Sequence, residues 1–310
     1  MSFWPELTAA RDRPTIVALH FFAQVIGKVP TVLLPWRNHG WHLTLHVGPR
    51  GLSTEPIYAK AGVFTLALDL VAHEVVYESA THRIAAPLAG VTVADFYARG
   101  LSILAEAGHD VHIHAVPNEV EPAIPFAEDH APRVYDRDSA SRLLGALQNA
   151  DRVFRLFRSS FLGKASPVQF FWGSFDLAVT RFSGRRAPRH PGGIPNLPDA
   201  VTREAYSHEE ASAGFWPGGA GMEGGPFFYA YAYPSPDGFA DAKVRPEAAR
   251  WDTALGEFVL DYDAVRTAPD PDAALLAFLT STYEAAADLA NWDRAALECA
   301  TGRPGVPRQV

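Results

Sequence analysis

Apolar positions recur at two different periods along the chain, and the switches between them mark out helices and strands. Ile16, Leu19, Ala23 and Ile26 fall at helical spacing; Pro14 suits a first turn and Gly27 a stop, so a helix is predicted over 14–26. Residues 41–47 alternate, with Leu43, Leu45 and Val47 on one face and His42, Thr44 and His46 on the other, as in a half-buried strand. After a Gly-Pro-Arg-Gly turn a second strand should run to Tyr58, followed by strands over 63–71 and 74–87. Thr92-Val93-Ala94-Asp95 has the capping-box pattern, which predicts a helix over 93–107 ending at Gly108. Residues 110–116 alternate again, with His112 and His114 on one face.

Leu143, Leu147, Ala150, Phe154, Phe157 and Phe161 make the clearest helical stripe, and Gly163 ends it. Residues 167–183 read as a strand or a bent pair of strands, 227–233 as a strongly aromatic strand, and Asp270-Pro271 opens a last helix. Residues 184–226 are rich in Gly, Pro and Arg and predict a long ordered loop. Short consecutive strands with hairpin spacing, followed by helices, predict an α+β fold with a largely antiparallel sheet packed by several helices. One globular unit over 1–310 is expected, with a loose tail from about residue 302.

Composition narrows the picture. The 310 residues are 48% hydrophobic and 20% charged, which is globular usage, and the net charge of −8 is diffuse. An acidic chain without a Lys/Arg run is not expected to bind nucleic acid. No 18-residue apolar run stands out, so no membrane partner is expected. The single cysteine, Cys299, admits no internal disulfide; with no leader-like N-terminus, a cytoplasmic setting is expected.

Familiar catalytic motifs fail on context. Gly219-Ala220-Gly221-Met222-Glu223-Gly224 matches G-x-G-x-x-G, but Trp216-Pro217 precedes it and an aromatic strand follows, so no dinucleotide is expected. His208-Glu209 begins H-E-x-x-H, but position 212 is Ser. No nucleophile elbow occurs. His112 and His114, two apart on a strand, could converge on a transition metal, although a solvated sheet face gives the same pattern. The stretch Tyr206–Trp216 gathers His208, Glu209, hydroxyls and aromatic rings, the ingredients of a small-molecule pocket. Asp176 and Arg181 flank an apolar stretch and could pair with each other, and Arg181, Arg185 and Arg186 could hold an anionic group.

Several longer strings carry a resemblance: Asn38-His39-Gly40-Trp41-His42, Arg50–Thr54, Ser166–Arg185, Glu204–Glu209 and Gly214–Gly218. Together they resemble the bacterial family known as domain of unknown function 5996, from Trp4 to about residue 290. The resemblance implies one cooperative unit and brings no activity with it. Gln169 and Gly40 stand where the family's pattern has His and Trp; if the family holds a metal through that His, this chain lacks the ligand.

The reading favoured is a small-molecule enzyme using acid–base or metal-assisted chemistry. His208, Glu209 and Asp176 are its candidate catalytic groups. Arg181, Arg185, Trp172, Tyr206, Trp216, His39 and His42 are its candidate binding residues. A ligand-binding protein without turnover and a protein-interaction module are the alternatives. The sequence leaves oligomeric state open.

Overall fold

The structure, a computed structural model, describes residues 4–308. The first half contains α1 (Ala9–Gly27), α2 (Val29–Leu33), β1 (His46–Val47), β2 (Gly51–Ser53), β3 (Ile57–Ala59), β4 (Gly62–Asp69), β5 (Glu74–Ser79), β6 (Arg83–Pro87), α3 (Val93–Glu106) and α4 (Arg137–Arg158). The second contains β7 (Gln169–Phe171), β8 (Asp176–Arg186), α5 (Asp199–Ala205), β9 (His208–Trp216), β10 (Phe227–Tyr233), β11 (Arg250–Asp252), β12 (Glu257–Asp261), α6 (Tyr262–Arg266), α7 (Pro271–Leu289) and α8 (Arg294–Leu297).

The α+β expectation holds, with two antiparallel sheets in place of one. The first runs β1-β2-β4-β5-β6 with β3 on the edge of β4; the second runs β11-β12-β10-β9-β8-β7. A bridge between Leu45 and Phe170 ties them together, each residue's N–H donating to the other's carbonyl at 2.8 Å. One continuous cluster of buried side chains runs from Trp4 to Trp292 and touches both sheets. α4 and α7 cover one face of the second sheet, where Phe154, Phe157, Leu279 and Tyr283 meet Val179, Phe215 and Phe228.

Several elements differ from the sequence pattern for identifiable reasons. α1 begins at Ala9, so Pro14 lies inside it. Buried Asp12 anchors this extra turn, accepting from the Thr8 N–H at 2.8 Å and from Arg142. Residues 38–43 form a 3-10 turn instead of a strand, because His39 (φ 57°) and Gly40 (φ 67°) turn the backbone over. Residues 110–116 keep their alternating burial without entering a ladder. The long 184–226 loop is not present as such: it contains α5 and the central strand β9. α1 and α2 together form a run, Ala9–Leu33, long and apolar enough to cross a membrane; 78% of its most apolar window is buried in the fold, as in a core helix.

Candidate functional site

β9 lies between β8 and β10, and its side chains alternate between the sheet's two faces. Ala211, Ala213 and Phe215 face the helices. His208, Glu210, Ser212 and Gly214 face the other way, in register with Thr180 and Ala178 on one side and Tyr233, Tyr231 and Tyr229 on the other. Small residues therefore make the floor, with Thr180 and Ser212 joined by a 2.9 Å hydroxyl contact, and large ones rise around it. Tyr206, Tyr229 and Tyr231 each keep part of their surface accessible although burial raises all three phenol pKa values. These half-exposed rings border the outward face of β9. From His208 to Gly214 this face extends about 20 Å, and the Tyr229 ring lies over its Gly214 end, 2.3 Å from where a Cβ would sit.

At its outer end, the His39 Nδ1–H donates to the Ala205 carbonyl at 2.7 Å, which fixes the tautomer and leaves the Nε2 lone pair free. Lys164 Nζ donates to that nitrogen at 2.5 Å and lies over the rings of Phe182 and Trp41. The His208 ring sits 5.7 Å from His39. Burial lowers the pKa of Lys164, of His39 and of His208; Lys164 adds to the lowering at both imidazoles. Two residues along β9 from His208, Glu210 is 5% exposed, and its one hydrogen bond comes from the Tyr231 hydroxyl at 3.5 Å. Burial pushes its carboxyl up to about 8.

At the inner end, Tyr229 donates to Asp176 Oδ2, and Ser174 donates to Oδ1 of the same carboxylate at 2.6 Å. Glu119 and Glu257 approach from the 117–125 loop and from β12. Burial, reinforced by the Asp176 charge, raises them to about 7 and about 8. Glu119 lies so close over Gly173 that a Cβ there would be 2.1 Å from Oε1. Beside them Lys28 Nζ bonds to Asn118 Oδ1, and burial lowers it to about 8. The loop is clamped: Gln24 exchanges hydrogen bonds with the Asn118 backbone at 2.7 and 2.8 Å, and the Glu119 N–H donates to the Pro195 carbonyl at 3.2 Å. Six non-glycine residues among those described have positive φ, and two of them, His39 and Glu119, stand at this face. Such backbone costs about 1–3 kcal/mol per residue and clusters at functional sites.

The structure gathers some of the sequence candidates and scatters others. His208, His39, Tyr206 and Asp176 gather on the β9 face. Glu209 does not partner His208: it points to the opposite face, where it accepts from Ser183 at 3.0 Å and from Arg185 at 2.6–2.8 Å. Arg181 is also on the helix side, 2% exposed, with its guanidinium 3.5 Å from the Phe157 ring centroid and bonded to the Phe157 carbonyl and Ser160. It can therefore neither pair with Asp176 nor meet a ligand in the cleft. Arg185 is engaged with Glu209 and with the Ala290 carbonyl at 2.7 Å. Trp172 packs against Gly27 and under Lys28, and Trp216 against Phe227, both nearly buried. His42 is buried against Trp36. His112 and His114 are exposed, with Asp110 3.5 Å from His112. Among the described residues, no three His, Cys, Asp or Glu side chains are grouped to share a metal ion.

The sequence reading missed Lys164, Glu210, Glu119, Glu257 and the role of the β10 tyrosines. Period-two alternation over 208–214 and 227–233 carried a signal for Glu210 and the tyrosines; the other three come from distant segments.

The sequence model of one family, described as a family of unknown function (DUF5996), matches residues 4–299. No curated protein and no solved structure matches the chain.

Proposed function

The chain belongs to the family of unknown function DUF5996, and for this member we propose acid–base catalysis on a small molecule bound along the β9 face. The observation that carries the reading is that His208 and Glu210 project from the same side of β9, with His208 beside the Lys164–His39 contact. Residues i and i+2 of a strand stand about 6.6 Å apart, which leaves room for a substrate atom between them.

Their environments push the two groups in opposite senses. Buried Glu210 keeps its proton at neutral pH and serves as the acid. His208, with its pKa lowered, is neutral and serves as the base. Lys164 holds a second movable proton on the neutral His39 nitrogen. The tyrosine walls supply area and hydroxyl donors for orientation. The same walls would also suit a protein that holds its ligand without converting it, so the test must read turnover.

A small-molecule extract is incubated with the full-length protein and followed by mass spectrometry. At least one component should be consumed, about 100-fold or more slowly by His208→Ala and by Glu210→Gln at unchanged melting temperature. Consumption that survives both substitutions, or no consumption at all, refutes the catalytic reading.

A further inference from the structure

Lysine is scarce in this chain: Lys28, Lys60, Lys164 and Lys243 are all there are. Lys60 and Lys243 are exposed, and Lys28 is buried on Asn118. Lys164 alone is half-exposed beside a base. Its backbone is fixed to β8, where its carbonyl accepts from the Phe182 N–H at 3.0 Å and Ala165 bridges Arg181. The side chain therefore starts from a rigid strand. The rings of Phe182 and Trp41 lie 4.8 and 5.5 Å from Nζ and keep water from one side of it. Among the described residues, the amine's one hydrogen bond goes to His39 Nε2 and it forms no ion pair; Glu204 and Glu210 attract it only from longer range. The His39 Nδ1–H is spent on the Ala205 carbonyl and burial keeps the ring neutral, so Nε2 offers the amine a lone pair. A carboxylate would hold an ammonium for structure alone. A neutral imidazole set on a partly desolvated amine is the arrangement that activates a nucleophile, and burial also lowers the Lys164 pKa, which raises the share of free amine.

We propose that Lys164 is a nucleophile that forms an imine with a small aldehyde or ketone, and that His39 is the base that takes the proton from its amine. The inference goes beyond the acid–base reading and shares only the β9 face with it: it assigns a covalent bond and a class of substrate, and it does not require turnover. The step balances without oxidant or reductant. One ammonium proton passes to His39 Nε2, and the freed amine bonds to the carbonyl carbon. A second nitrogen proton moves to the carbonyl oxygen. The hydroxyl so formed takes the first proton back from His39 and leaves as water, while the nitrogen lone pair closes the C=N bond. The half-exposed Trp41 ring offers an apolar surface to the rest of the carbonyl compound. His208, half-exposed with its ring 5.7 Å from His39, borders the same space.

The test is reductive trapping on the full-length protein. Butanal or pyruvate is added at limiting concentration with sodium cyanoborohydride near neutral pH, and adducts are located by peptide mass mapping. With at least one of the two, Lys164 should be labelled about tenfold or more faster than Lys60 and Lys243, the exposed internal controls. Lys164→Arg should remove the fast adduct. His39→Asn, which keeps a residue tolerant of the positive φ at this position, should slow it about tenfold or more at unchanged melting temperature and leave labelling of Lys60 and Lys243 as it was. Labelling of Lys164 no faster than that of Lys60 and Lys243 in the unaltered protein overturns the inference, whatever the variants do. Fast labelling that His39→Asn leaves unchanged overturns it too. If the extract is consumed through His208 and Glu210 while Lys164 stays unlabelled, the inference falls and the acid–base reading stands. If Lys164 is trapped but nothing in the extract is consumed, the reverse holds.

Discussion

Which side of a strand a residue takes decides whether it belongs to the cleft. Glu209 and Glu210 are adjacent and chemically identical, yet one is tied to Arg185 on the helix side and the other stands among tyrosines. Alternation decides this before any contact is made, so the preference for Glu210 over Glu209 was legible once 208–216 was known to be a strand. Gly214 shows how little room the floor has. A Cβ there would lie 2.3 Å from the Tyr229 ring and hydroxyl. Gly214→Ala should therefore displace Tyr229 from Asp176 and destabilise the protein by about 1–3 kcal/mol in urea unfolding. A neutral or stabilising effect would mean that the ring has space to move.

At the scale of elements, local chemistry was readable wherever a segment satisfies itself. Thr92 caps α3 as its sequence implies: its hydroxyl accepts from the Asp95 N–H at 3.1 Å, and Asp95 accepts from the Thr92 N–H at 3.1 Å. Thr92→Ala should cost about 1 kcal/mol, measured by thermal or denaturant unfolding. No change would show that packing of Phe96 and Leu104 alone sets the start of the helix. Elements were misread where distant chain supplies the bonding. The His39 N–H donates to Glu204 at 3.1 Å and its ring N–H to Ala205, so docking against α5 accompanies a turn where alternation predicts a strand. In sequence β9 has the composition of a loop, because Gly and Pro residues dominate around it. Its own ladder depends on β8, 22–38 residues away, and on β10, 11–23 residues away.

Across the whole molecule, burial places several ionisable groups in surroundings that oppose their charge, and stability should record this. His20 is buried and held near 4 by burial, so its contribution is present above about 6.5 and lost as pH falls toward 4. Glu119, Glu210 and Glu257 act in the opposite sense. Their raised values make folding most favourable below about 4.5, and that contribution is lost as pH rises through 7 to 8. Between pH 6.5 and 8 the carboxyl contribution dominates. The melting temperature of the unliganded protein should drop by about 5 °C across that window, and by less in Glu257→Gln. A flat or rising profile in calorimetry would mean that the carboxyls are already ionised and paired at pH 6.5. The sequence by itself determined the α+β class, the aromatic strand, the long amphipathic α4 and the family, because periodicity, caps and family-like strings are properties of neighbouring residues. Only the tertiary structure decided which acids meet which bases. Lys164 reaches His39 across 125 residues, and Glu119 faces Asp176 from another segment. Such pairings are set by how sheets and loops close in space, which no local pattern records.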